Sequence, residues 1–207
     1  MKAALINASP LIILARAGYI NLLPKIFSSV AVPRAVVSEI QAGPAEAGFG
    51  NLLDGAGWLS VVDVGSFVSP LARARLGQGE TEVLEYARIH PGMIAIVDDK
   101  AARRLAEGLG IPRTGTLGVL AAAAQAHYVS DFAASAAKMI GAGLYIDART
   151  VEKLAEKLRT LGAADRPDVS EARAGLSPGM ILFSSASLLP SGKRRGEAVS
   201  AAGSQLG

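Results

Sequence analysis

Short apolar runs alternate with helical stretches over most of this chain, and that alternation limits what it can fold into. Residues 3–6 and 30–32 are apolar runs of strand length. Each is followed by a segment with helical spacing of its apolar residues. Residues 58–64 predict a third, more peripheral strand, and 94–97 a buried one. Ile111 is expected to start a very short last strand. The intervening helices are expected from Ser9, with Ser9 as N-cap and Pro10 at the first helical position, and from Pro33 through Ile40. More are expected over 79–89, 100–109, 116–127, 131–140 and 148–161. Strands alternating with helices imply an α/β fold in three layers, a central parallel sheet covered by helices on both faces. In such sheets ligands bind beyond the carboxyl ends of the strands. The residues that directly follow each strand are therefore the informative ones.

The globular part is expected over residues 1–162. Beyond it Asp, Pro, Gly, Ser and Ala dominate, with one apolar island at 180–189. No period persists there, so 163–207 reads as a loosely ordered tail. Residues 94–104, IAIVDDKAARR, pose the sharpest question. A buried strand ends there in two adjacent carboxylates, Asp98 and Asp99. Capping of the next helix explains one of them and leaves the other.

Further carboxylates sit in odd places. In LGQGETEVLEYA the apolar stripe is Val83, Leu84 and Ala87. Glu80 falls near the middle of that stripe, whereas Glu82 and Glu85 lie off it. An unpaired carboxylate turned inward costs several kcal/mol. Service at the helix N-terminus is the plain alternative. Glu39 in VPRAVVSEI borders the stripe of Val36, Val37 and Ile40, a place that also fits a solvated flank. Asn7 follows the first strand, where Asn is ordinarily a turn residue. If the first and fourth strands are neighbours, Asn7 and the Asp doublet face one crevice. Carboxylates gathered there would repel each other, and their natural partner is a hard divalent cation with oxygen ligands, Mg²⁺ or Mn²⁺. Such a cluster suits phosphoryl chemistry. Thr114 and Thr116, around Gly115, fit simple N-caps or hydroxyls that orient a water. His127 reads as structural or surface, and His90 as a turn residue.

Several classes drop out. The chain has no cysteine, so disulfides and thiolate metal sites are excluded, in keeping with a reducing, cytoplasmic setting. Two histidines cannot build a zinc cluster alone. Asn7, Ser9 and Pro10 interrupt the early apolar run, so no secretion signal is expected. No apolar run is long enough for a membrane span. A net charge of +3 permits nucleic-acid binding without arguing for it. An Asp-nucleophile phosphohydrolase would place Asp-x-Asp after a strand, and no such pair is present here.

Five pieces, INASPLIILARAGYINLL, VPRAVVSEI, LGQGETEVLEYA, IVDDKAARRLAEGLGI and TGTLGVL, together resemble the PIN domain. They look most like a PIN-like subfamily related to the toxin ribonucleases of prokaryotic toxin–antitoxin systems. The likeness runs in order over about residues 3–160. It implies a metal-dependent ribonuclease, with Asn7, Glu39 and Glu80 at the first three acidic positions and Asp98 or Asp99 at the fourth. Ser9 and Thr114 or Thr116 would give polar support. Lys100, Arg103, Arg104 and Arg113 would contact the RNA backbone, although the three on the helix equally fit a solvated face. The resemblance also implies a small antitoxin protein as partner, and homodimers are common in the family. The Ala-rich stretch 117–126 would allow close helix packing. The departure is Asn7, where most active members carry Asp. An amide oxygen ligates Mg²⁺ without bringing charge. A scaffold with weakened or lost catalysis, binding RNA or a protein, is therefore the competing reading.

Overall fold

A computed structural model of the chain describes residues 1–43, 56–65 and 76–164. The tail expected over 163–207 lies outside the described residues, apart from the end of the last helix. Five parallel strands form one sheet: β1 (Ala4–Ile6), β2 (Val30–Pro33), β3 (Leu59–Val62), β4 (Ile94–Ile96) and β5 (Arg113–Thr114), in the order β3-β2-β1-β4-β5. The expected α/β class and three-layer arrangement hold. β1 is central, and all three of its residues are fully buried. That explains its continuous apolar character, since a strand covered on both faces has no polar side.

The helices are α1 (Ala8–Arg16), α2 (Leu23–Ile26), α3 (Arg34–Ala42), α4 (Gln78–Ile89), α5 (Lys100–Gly108), α6 (Thr116–Gln125), α7 (Phe132–Gly141) and α8 (Ala148–Ala164). A 3₁₀ turn, Ile20–Leu22, leads into α2. This short pair was not expected; it lacks the length for a readable period. α8 runs past the boundary anticipated at 162. The expected helix ends otherwise agree to within a few residues.

Two details differ for physical reasons. Ser9 is not the N-cap of α1. The helix starts at Ala8, and Asn7 occupies the cap position without making a side-chain cap bond; its Nδ2 donates to Glu80 instead, and its Oδ1 is left without a partner. Glu85, read as off the apolar stripe of α4, is 1% exposed. α4 packs against α3, α5 and the sheet, so its buried arc is wider than one stripe. Arg88, one turn on, donates to both Glu85 oxygens at 2.6 and 3.2 Å and makes that burial tolerable. The Ala-rich α6 is packed against α2, α7 and α8 of its own chain.

The strand order fixes where a ligand crevice lies. The chain moves outward from β1 to β2 and β3, then returns to the other side of β1 for β4 and β5. The order reverses between β1 and β4, and the carboxyl ends of these two strands form the switch point. The Asn7 N–H donates to the Ile96 carbonyl at 3.1 Å and ties the two ends together.

Candidate active site

Three predicted residues converge at the end of β1. Asn7 is 3% exposed. Its Nδ2 donates to Glu80 Oε1 at 3.0 Å. The Gly79 N–H donates to Glu39 Oε1 at 2.8 Å. Glu80 is half-buried in the first turn of α4, as its place on the apolar stripe anticipates, while Glu39 reaches across from α3 and remains exposed. The Asn7 Oδ1 is buried and has no hydrogen-bond partner. A buried, unmatched amide oxygen is unusual in a folded protein and calls for an explanation.

Gly79 makes the convergence possible. A Cβ there would lie 2.6 Å from Glu39 Oε2, 2.9 Å from Glu39 Oε1 and 3.0 Å from Asn7 Oδ1. At Gly77 a Cβ would run into the Glu80 carboxylate. The two glycines that precede Glu80 in LGQGETEV thus leave room for the acids. The sequence reading passed over them; glycine beside an inward carboxylate was the signal. A cleft of about 370 Å³ opens from this cluster, lined also by Ser9, Ile12, Arg16 and Gly143.

The doublet resolves into two separate jobs. Asp99 Oδ1 accepts from the N–H groups of Ala101 and Ala102, both at 2.8 Å, and caps α5. Asp98 accepts from the Thr116 N–H at 2.8 Å and from Thr116 Oγ1 at 2.5 Å. It therefore serves the N-terminus of α6, where Gly115 has no side chain to do so. Thr116 is fully buried in this exchange. Neither aspartate lines the cleft that Glu39 and Glu80 share, and among the described residues no three Asp, Glu or His side chains form a group able to hold a metal ion. What converges is two carboxylates and one amide.

The other predicted residues are spread out. Ser9 is exposed at the cleft, and Thr114 Oγ1 lies 3.5 Å from the Gly115 carbonyl. Lys100 and Arg104 are exposed on α5, and Arg103 is half-buried over Gly115. Arg113 is paired with Glu107 at 2.6 Å. None of these four lines the cleft. His90 stacks on Tyr86, and His127 takes a left-handed φ of 60° just past α6, both structural roles.

The donor set fits a hard divalent cation. The atoms that could ligate are all oxygens, two of the three side chains are carboxylates, and the third presents a buried oxygen with nothing to accept. A protein-family model described as PIN domain matches residues 3–160. The chain belongs to the PIN domain family. Members of this family are generally nucleases that use divalent metals, so this PIN domain carries a nuclease-type fold. Comparisons with curated proteins and with solved structures give no match. Among the described residues, no helix is long and apolar enough to cross a membrane.

Proposed function

We propose that this PIN domain is a metal-dependent endoribonuclease, and that it acts as the cytoplasmic toxin of a toxin–antitoxin pair. The observation that carries the reading is the unmatched Asn7 Oδ1, buried between Glu39 and Glu80 over the bare Cα of Gly79. Asn7, Glu39 and Glu80 would hold Mg²⁺ or Mn²⁺. When bound, such an ion neutralises phosphodiester charge and acidifies a water for attack on phosphorus. The chain's own groups organise the site beforehand. Asn7 Nδ2 holds Glu80, and the Gly79 N–H holds Glu39, so two like charges sit close together without collapsing the site. Asp98 adds negative charge at the neighbouring strand end, and Asp99 remains a cap. A small antitoxin covering this crevice would silence the enzyme, and a second copy of the chain is a further partner to test.

Cleavage of RNA with Mn²⁺ tests the reading. Glu80→Ala should lose activity by about 100-fold or more, and should lose the rise in melting temperature that Mn²⁺ gives the unaltered protein. A Glu80→Ala protein as active as the parent sinks the assignment.

One observation favours a second reading, a scaffold without catalysis. Asn7 brings no charge, and its amide already occupies one oxygen of Glu80. Mn²⁺ titration of the parent and of Asn7→Asp separates the two readings. Binding in the millimolar range only by Asn7→Asp favours the scaffold.

A further inference from the structure

The cleft has a second end. Arg16 lines it together with Glu39 and Glu80, yet pairs with neither, and among the described residues no carboxylate takes it up. Two turns of α1, about 10 Å, separate Arg16 from Ser9 at the acidic end. The C-terminal dipole of α1 favours a cation at Arg16; that explains its sign and not its position on the cleft wall. Opposite α1 the wall is Ala142 and Gly143, in the turn between α7 and α8. Gly143 has a φ of +109°, which turns the backbone sharply there. Two residues on stands Tyr145, 96% exposed. The chain has only four tyrosines, and this one buries almost nothing.

We propose that Arg16 and Tyr145 form a grip for single-stranded RNA at the end of the cleft away from the acids. This rests on the ribonuclease reading for its substrate and adds the path the strand takes. An unpaired guanidinium takes a backbone phosphate. A displayed aromatic ring stacks on a base, which only an unpaired strand can offer. With stacked nucleotides rising 3.4 Å each, 10 Å spans on the order of two to three nucleotides. The strand then runs along α1, and not across α5, where Lys100, Arg103 and Arg104 were first expected to hold it.

The test is binding of a fluorescent single-stranded uridine 12-mer and of an RNA duplex of equal length to the full chain, in EDTA to stop cleavage. Melting temperature with and without Mn²⁺ is read in parallel. The single strand should bind tighter than the duplex. Arg16→Ala should weaken it roughly tenfold and lower the salt slope by about 0.7. Tyr145→Ala should weaken it about fivefold or more at unchanged slope, while Tyr145→Phe binds like the parent. All three variants should keep the Mn²⁺ shift. Equal affinity for duplex, or parent-like binding by Arg16→Ala or Tyr145→Ala, overturns the grip; if the Mn²⁺ shift persists, the metal site stands without it. Loss of the Mn²⁺ shift in the parent, with the oligonucleotide effects intact, removes the metal reading and leaves the grip in place.

Discussion

The ends of β1 and β4 lie side by side, and both carry acidic or amide side chains, but they differ in what those side chains still lack. At β4 both carboxylates already have work. Asp99 holds two N–H groups of α5, and Asp98 holds the N–H and hydroxyl of Thr116. At β1 the side chains face one another, and the buried Asn7 Oδ1 is left over. Capacity for a ligand follows from acceptors that the fold leaves unmet, not from the number of acids. A doublet of aspartates draws the eye in a sequence, yet here it is mostly local capping.

The comparison can be broken by substitutions that treat the two ends differently. The largest functional effect is expected from Gly79→Ala. Alanine is a better helix former, and the exposed end of Glu39 can swing away, so stability should change by no more than about 1 kcal/mol. The methyl nevertheless fills the space between Glu39 and Asn7, so the Mn²⁺-induced rise in melting temperature should vanish and RNA cleavage should fall about 100-fold. Unaltered Mn²⁺ response in Gly79→Ala would show that the cluster is not the site.

Asp98→Ala should do the reverse and strike the fold. It leaves the buried Thr116 N–H and hydroxyl without their acceptor, at a cost of about 2 kcal/mol in urea unfolding. A cost near zero would mean that α6 does not depend on this bond. Asp99→Ala should cost about 1 kcal/mol, as an N-cap does, and should keep Mn²⁺ binding. If Asp99→Ala instead loses the metal response while Asp98→Ala keeps it, the assignment of the doublet is inverted.

The smallest effect lies just beyond the ends of β2 and β3. Arg34 forks onto Asp63 at 2.5 and 3.0 Å and holds its carboxyl below the usual range, chiefly through the hydrogen bond. A depressed folded pKa stabilises above the unfolded value and is lost as pH falls through the folded one. The gap in stability between the parent and Arg34→Ala should therefore be constant above about pH 5 and narrow on further acidification. A gap that widens in acid would contradict the pairing.

Much of the fold was legible because its signals are periodic. Runs such as residues 3–6 and 94–97 read as buried strands by their length and apolar character, and the Val83, Leu84 and Ala87 stripe turned Glu80 inward. The adjacency of β1 and β4 was a condition in the sequence and is a fact in the sheet. The rest depends on contacts remote in sequence. Asp98 and Asp99 differ by one residue, and only the approach of α6, 18 positions on, separates their roles. Glu85 is buried because three elements meet at α4, which no single-helix stripe records. Arg16 carried no signal in the sequence; it lines the cleft together with Gly143, which is remote in the chain. Asn7 holds the cap position of α1, yet its side chain bonds to Glu80, 73 residues away.

One further contact ties α3 and α4 together. Pro33 precedes α3 and offers no side-chain cap, and Glu82 of α4 supplies one by accepting from the Ala35 N–H at 3.1 Å. The helix that presents Glu39 is thus fastened at its start by the helix that presents Glu80. Fraying of α4 would release the first turn of α3 as well, so the two would open as a single cooperative unit. The two acids would then leave together, and partial opening would strip the cleft of its negative charge in one step.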